Sequence, residues 1–448
     1  MNVAKRKEPL ILLAGDVLFF LVSLWGALLF RSGEWPSREL FLTHLVPFSF
    51  LFAMWVVVFY IAGLYEKHTT ILQSRLPAAL AGAQLTNSAV AVIFFYFVPF
   101  FGITPKTILF LVLAFSFLLI LFWRMYGYFA LSRAKTTNAI LIGSGVEMKE
   151  LVSEVNSNPI YNLRFVSSID LSRTEEGFWR EVVSRAYAED VSVIAIDLAH
   201  ENVEPVLPHL YNLIFSNVNF IDMHKIYEDI FDKVPLSLLH YNWFLENIST
   251  KPRTAYDGLK RVMDIIFAGV LAFASLALYP CVWLAIRLDD GGPLFIRQER
   301  VGESNRLIRI LKFRSMTHDD KGEYGTDTRP STVTRVGAFL RKSRIDELPQ
   351  LWNVVRGDLS LIGPRPELPP LVRHYTEEIP YYNVRHLIKP GLSGWAQIYG
   401  EHGHGAVAVD ETKNKLSYDL YYIKNRSLLL DLKVALRTLK TLVSFAGR

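Results

Sequence analysis

The sequence predicts a membrane protein in three parts. These are an N-terminal four-helix transmembrane bundle (residues 1–135), an α/β domain of Rossmann-like pattern (136–250), and a C-terminal domain (256–448) entered through a fifth apolar stretch. Three observations lead there. Hydrophobic residues make up 51% of the 448-residue chain and mean hydropathy is +0.23, high for a soluble protein. Four apolar stretches of spanning length fill the first third. Short apolar runs then alternate with helical patterns, before dense charged motifs take over.

The four spans are expected at residues 9–30, 45–64, 78–101 and 107–129. Asp16 and Asn87 interrupt them as candidate polar groups at helix interfaces. Lys5, Arg6, Lys7, Lys67, Arg75, Arg124, Arg133 and Lys135 flank one side of the spans, and Arg31, Arg38 and Lys106 the other. That bias, with an even span count, puts both chain ends in the cytoplasm. The first apolar stretch is long and lacks a small-residue cleavage pattern, so it is expected to persist as a span.

NAILIGSG, from Asn138, reads as a buried strand running into a glycine turn, with a helix following over 146–155. Further strands are expected at 164–169, 191–197 and 218–221, giving a parallel sheet. Gly143 and Gly145 begin a dinucleotide fingerprint, but Met148 occupies its third glycine position. A structural or regulatory domain is therefore expected, ending near residue 249, with a polar linker over 250–255.

Residues 262–286 form the fifth apolar stretch, bounded by Lys260, Arg261 and Arg287. Its length permits a span, yet Pro280 breaks the interior hydrogen-bond ladder and Asp264 places a charge near its start. The chemistry concentrates downstream, in RKSRIDELPQLWNVVRGDLSLIGPRPE from Arg341. Asp346 is expected to cap a helix whose first turn holds Glu347, Leu348 and Pro349, with Gly357 as its stop. Leu348, Leu351, Trp352 and Val355 would form its buried face. A carboxylate flanked by Arg341, Lys342 and Arg344 could attack phosphorus or hold a magnesium ion, and the residues alone leave both open. Lys312 and Arg314 in LKFRSM add cations, and Arg365 between Pro364 and Pro366 is suited to gripping phosphate. Asp319, Asp320 and Asp327 read as a solvated loop, and His402 and His404, with no acidic or cysteine partner, as a weak metal signal. The segment 415–445 reads as amphipathic helices suited to a membrane interface.

From Asp257 onward the chain resembles the bacterial sugar transferase family, the polyprenyl-phosphate hexose-1-phosphate transferases, in their long form with four N-terminal spans and a Rossmann-like domain. The resemblance rests on KRVMDIIFAGV, GGPLFIRQERVG, LKFRSM, the Arg341 segment, IKPGLSGWAQIYG and DLYYIKNRSLLLDLK, in the family's order. It implies an α/β catalytic domain with a re-entrant membrane hairpin, here 260–287, that enters and leaves by the cytoplasmic face. It implies Asp346 as nucleophile and Glu347 as magnesium ligand. Lys312 and Arg341 are expected to act beside them, while Arg314, Gln350, Pro364, Arg365 and Pro366 contact substrate. Pro280 would be structural. The implied substrates are a nucleotide diphosphate sugar, usually UDP-linked, and undecaprenyl phosphate at the bacterial inner membrane; Mg²⁺ is the implied cofactor. Tyr279 stands where many members have Ser before the proline, and GEHGHG replaces a polar loop.

The net charge of +5 and a pI near 9 suit work beside anionic lipid and phosphates. No basic-aromatic motif or recognition module points to nucleic acid. Cys281, the single cysteine, excludes an intramolecular disulfide and a Cys-based zinc site. Two other classes compete. A membrane-bound nucleotide-sugar dehydratase or epimerase needs a complete glycine fingerprint and a Tyr-x-x-x-Lys pair, whose spacing only Tyr256 and Lys260, at the linker, supply. A non-catalytic assembly scaffold would not need the acidic pair and its cations. A homo-oligomer is compatible with all three readings.

Overall fold

The computed structural model describes residues 8–62, 64–65, 76–97, 106–127, 136–158, 161, 163–172, 179–198, 200–211, 213, 218–239, 241–248, 254–317, 332–399 and 409–443. Lys5–Lys7, Lys67, Arg75, Arg133, Lys135, Asp319, Asp320, Asp327, His402 and His404 lie outside them. The chain divides into two compact units, Met1–Ile230 and Phe231–Arg448.

The first unit opens with four apolar helices, α1 (Glu8–Ser32), α2 (Arg38–Ile61), α3 (Leu76–Phe97) and α4 (Lys106–Phe122). Leu10–Ser32, Arg38–Ile61 and Thr107–Tyr126 are long and apolar enough to cross a membrane; in α3 the described apolar stretch is shorter, Leu80–Phe95. Phe20, Leu24, Phe48, Trp55, Phe59, Leu80 and Val112 form the buried centre of the bundle. Both interrupting polar residues find partners inside it. Asp16 accepts from Tyr65 Oη at 2.8 Å and from Arg124 Nε at 3.2 Å. Arg124 sits in a π-helical turn, Trp123–Gly127, and also donates to the Leu64 carbonyl at 2.6 Å. Removing either member of this buried pair would strand a charge, at a cost of about 3–5 kcal/mol. Asn87 donates to Gln84, which in turn reaches Ser116 on α4.

The remainder of this unit is α/β. Strands β1 (Thr137–Gly143), β2 (Leu163–Asp170), β3 (Val191–Ile196) and β4 (Asn219–Asp222) form a parallel sheet in the order β2-β1-β3-β4. Helices α5 (Gly145–Ser157), α6 (Trp179–Ala188) and α7 (Met223–Phe231) follow β1, β2 and β4. The glycines after β1 answer to the chain's own packing. Gly145 has φ +82°, and a Cβ on Gly143 would fall 2.6 Å from the Met223 sulfur. Met148, in the third glycine position, is buried on the inner face of α5.

The second unit begins before the expected linker. The segment ahead of it carries α8 (Tyr241–Asn247), and its Val234, Leu239 and Trp243 lie in one core with Val372, Tyr375, Tyr382, Leu416 and Leu420. Helix α9 (Thr254–Ser275) gives way to a 3₁₀ turn at Leu276–Leu278, then to α10 (Tyr279–Asp289). Ser275 Oγ donates to the Ala272 carbonyl at the end of α9. Pro280 lies in the first turn of α10, where a missing N–H leaves no helical bond unmade. An antiparallel hairpin, β5 (Phe295–Val301) and β6 (Leu307–Phe313), comes next, then α11 (Arg335–Lys342) and α12 (Leu351–Arg356). A short parallel pair, β7 (Ser360–Ile362) and β8 (Gly391–Ser393), brackets α13 (Pro369–Glu378). Helices α14 (Trp395–Tyr399), α15 (Val409–Asn425) and α16 (Leu428–Val443) complete the unit.

Both arms of the interrupted helix are fastened to this unit. Arg261 on α9 donates to the carbonyls of Val354 and Val355 at 2.7 and 2.8 Å, and Asp264 accepts from Leu361 N at 3.1 Å. At the end of α10, Asp289 accepts from Val336 N at 2.9 Å, and Asp290 pairs with Arg314 at 2.7 Å. Between these anchors Phe267, Val270, Leu271, Phe273, Trp283 and Leu284 remain exposed.

Candidate active site

Two short elements carry the acidic pair. Helix α11 starts on a Thr334 cap, with Gly337 N donating to Thr334 Oγ1 at 2.9 Å. It packs so close to the preceding strand that a Cβ on Gly337 would meet the Ser315 carbonyl oxygen at 2.0 Å. The chain then reverses at Arg344, whose φ of 56° is left-handed, and winds into a 3₁₀ turn, Ile345–Gln350. Asp346 is therefore the second residue of a 3₁₀ turn, and Arg344 takes the cap position expected of Asp346. The α-helical part begins only at Leu351, because Pro349 has no N–H to give to the ladder of the turn. Gly357, at φ 103°, ends it as expected. Leu351 and Val354 are buried; Trp352 is 39% exposed and does not join the buried face assigned to it.

Beside this turn runs β6. Asn353 fixes their separation: its Oδ1 accepts from Leu311 N at 3.0 Å and its Nδ2 donates to the Arg309 carbonyl at 2.8 Å. Lys312 follows directly, opposite Ile296 in the hairpin register. From the far side comes the Gly363–Glu367 loop. Gly391 N donates to the Pro364 carbonyl at 2.9 Å, and Val301 N to the Glu367 carbonyl at 2.9 Å. Arg365 thereby brings its guanidinium to 2.8 Å from Glu347 Oε1.

The electrostatics separate the two carboxylates. Burial raises the Asp346 carboxyl, and the negative charge of Glu347 raises it further, to about 6 against the pull of Lys312 and Arg341. Burial also works on Glu347, but the charges of Arg365 and Lys312 outweigh it and hold its carboxyl at about 2. Lys312 is brought down to about 8, first by burial and then by Arg365, against the attraction of the two carboxylates. Adjacent carboxyls driven apart in this way take different roles at neutral pH. Asp346 is 8% exposed and accepts no side-chain hydrogen bond from the described residues. A buried carboxylate oxygen without a donor is available to an incoming phosphorus or cation.

The other sequence-assigned residues distribute unevenly. Arg341 bonds Ser315 Oγ at 3.1 Å and bears on Asp346 through its charge. Gln350 is buried at the end of the 3₁₀ turn, and its Nε2 has no hydrogen-bond partner among the described residues. Arg314 leaves the site: its guanidinium is taken up by Asp290 at 2.7 Å and by the carbonyls of Met316 and Thr317. Strand β6 ends at Phe313, so the alternation that would have put Arg314 on the Lys312 face stops one residue short. Arg300, not assigned from sequence, joins instead. It lies on β5 two residues from Gln298, which it bonds at 2.6 Å; it reaches the Pro366 carbonyl at 3.4 Å, and its charge bears on Lys312. Once Ile296 pairs with Lys312 across the hairpin, the alternation Ile296-Gln298-Arg300 puts Arg300 on the Lys312 face.

Among the described residues no three His, Cys, Asp or Glu side chains gather as a metal cluster. Magnesium does not require one, since it binds one or two carboxylates and completes its shell with water and substrate phosphates. The hard oxygens of Asp346, which lack a donor, and of Glu347 fit that demand. The Tyr256–Lys260 spacing serves another purpose: both side chains bond Asp431 on α16 at 2.9 Å.

A model of the family described as "Bacterial sugar transferase" matches residues 255–445. A UDP-N-acetylgalactosamine-undecaprenyl-phosphate N-acetylgalactosaminephosphotransferase of Aeromonas hydrophila is 43% identical over 237 residues, 52% of this chain and 54% of that protein. An undecaprenyl-phosphate glucose phosphotransferase of Komagataeibacter xylinus is 32% identical over 331 residues, 69% of this chain and 60% of that protein. The chain thus spans a little over half the length of these two relatives. A UDP-glucose:undecaprenyl-phosphate glucose-1-phosphate transferase of Caulobacter vibrioides is 41% identical over 195 residues, 43% of this chain and 73% of that protein. With a relative this similar matched over nearly three quarters of its length, the chain belongs to the bacterial sugar transferase family.

Proposed function

We propose that the chain transfers a sugar-1-phosphate from a UDP-sugar to undecaprenyl phosphate, the step that starts a surface polysaccharide on its lipid carrier. One observation carries the reading: a buried carboxylate that takes no hydrogen bond from the described residues, Asp346, stands beside Glu347, which Arg365 holds. The Asp346 oxygen attacks the sugar-bearing phosphorus, the bond from that phosphorus to the bridging oxygen of the diphosphate breaks, and UMP departs with the electron pair. An oxygen of undecaprenyl phosphate then attacks the same phosphorus and expels Asp346 as carboxylate. The lipid-diphosphate sugar is the product. Lys312, Arg365 and Arg300 hold phosphate oxygens and spread the charge that builds on them. Magnesium, held by Glu347, would neutralise the diphosphate when bound.

The fastening of both arms of α9–α10 to one compact unit supports a hairpin that enters and leaves the bilayer on one face. A continuous helix of 35 residues would be about 52 Å long and would carry its two ends far apart. The exposed apolar residues between the anchors would lie in lipid, and the charge bias of the spans supports a cytoplasmic face at the inner membrane. The α/β domain has a structural or regulatory role, supported by Met148, buried where a dinucleotide-binding fingerprint has its third glycine. Incubating the detergent-solubilised protein with a panel of nucleotide sugars, undecaprenyl phosphate and Mg²⁺ tests the reading. Release of UMP with formation of lipid-linked sugar is expected from at least one UDP-sugar. A folded protein inert towards every donor contradicts it.

A further inference from the structure

The loop that delivers Arg365 is held by its carbonyls. Pro364 and Pro366 have no N–H, so the loop has few donors with which to form a local ladder. Pro364 and Glu367 carbonyls are taken by main-chain N–H groups, and the Pro366 carbonyl by Arg300. The carbonyl of Arg365 itself accepts from Arg385 Nη2 at 3.2 Å. Arg385 is 5% exposed, an expensive place for a cation unless its surroundings are fixed. It lies 2.8 Å from the Asp419 carboxylate, is bonded to Tyr382 Oη, and has Glu367 at 3.8 Å. Asp419 is itself 1% exposed on α15, so the ion pair sits on a rigid helix in the core.

We propose that Arg385, oriented by Asp419 and Tyr382, is a positioning residue for the phosphate-holding Arg365: by gripping its main-chain oxygen it sets the angle at which the guanidinium meets Glu347. This rests on the sugar-phosphate transfer proposed above. A single linkage then runs from the α15 core through Arg385 and the Arg365 backbone to the Arg365 side chain and the acidic pair. Lys at 385 would keep a cation beside Asp419 but could not reach Tyr382, Asp419 and the Arg365 carbonyl together, because an ammonium lacks the planar fork.

The test is a double-mutant cycle between Arg385→Lys and Arg365→Ala in the full chain, with melting in detergent as the control for folding. Alone, Arg385→Lys is expected to lower kcat/KM for the UDP-sugar at least about fivefold; in the Arg365→Ala background it should change it less than about twofold. Equal effects in both backgrounds would mean that Arg385 acts elsewhere and overturn the proposal. A second measurement needs no turnover. Phenylglyoxal modification of Arg365, followed by mass spectrometry, should be several-fold faster in Arg385→Lys, with Arg356 and Arg309 unchanged. An unchanged Arg365 rate, or a rise at all three sites, overturns the proposal. If wild-type protein transfers nothing to lipid while the Arg365 rate responds as expected, the transfer reading fails and the positioning stands. Where Arg385→Lys does not fold, Tyr382→Phe carries both measurements. It removes one hydrogen bond, leaves the ion pair intact, and should give smaller effects of the same sign.

Discussion

At the scale of single residues, the site separates its charges by environment. In the proposed transfer Asp346 would attack only as carboxylate, so activity should fall as pH drops through about 6, where burial and Glu347 put its proton. In the same proposal Lys312 would hold phosphate only as ammonium, so activity should fall again as pH rises through about 8. The expected kcat/KM profile of the wild type is a bell with limbs near those values. Lys312→Arg keeps its charge throughout the range and should lose the alkaline limb. An alkaline limb unmoved in Lys312→Arg would take Lys312 out of the role given to it. That Asp346, Glu347 and Arg365 come together could be anticipated because each lies in a contiguous motif. The place of Arg300 could not, because it depends on which residue of β6 it faces, and that is fixed by pairing across the hairpin. Arg314 lies apart from them for the complementary reason: its motif sits next to a strand end that no local pattern marks.

Among elements, the decisive one is the interrupted helix α9–α10. Its apolar length was legible, and so was the disturbance at Pro280, but the 3₁₀ turn falls at Leu276–Leu278 and the proline only opens the second arm. Single cysteines near Lys260 and near Arg297, placed in a Cys281→Ser background, should react with an impermeant thiol reagent only from the cytoplasmic side. Periplasmic labelling of the later site would show a true span. A second element-level expectation concerns Asn353, whose amide ties β6 to α12 through two main-chain bonds. Asn353→Ala leaves a buried N–H and carbonyl unpaired and should cost about 1–3 kcal/mol of stability, readable by denaturant unfolding in detergent. It should also lower kcat, because the strand it releases carries Lys312. A variant as stable as wild type would remove that tie from the description. The helix expected to start at Asp346 became a 3₁₀ turn through the left-handed Arg344, a backbone choice that residue identity alone does not announce.

Over the whole molecule, the order of parts was legible from hydropathy and periodicity. The extent of the C-terminal unit was not: the α/β domain was expected to run to near residue 249, whereas the second unit begins at Phe231. In the segment before the linker, Val234, Leu239 and Trp243 complete a core with residues more than a hundred positions later. A chain beginning at Phe231 should therefore fold and retain transfer in detergent, whereas one beginning at Tyr256 should melt several degrees lower. Equal melting of the two would show that the segment contributes nothing to that core. The central claim, that Asp346 carries the phosphosugar, is most directly tested with donor labelled in the β-phosphate. With lipid acceptor absent, label should enter the protein as UMP is released, undecaprenyl phosphate should discharge it, and Asp346→Asn should accept none. Label still entering Asp346→Asn, or kinetics that require both substrates bound together, would contradict a covalent role for Asp346.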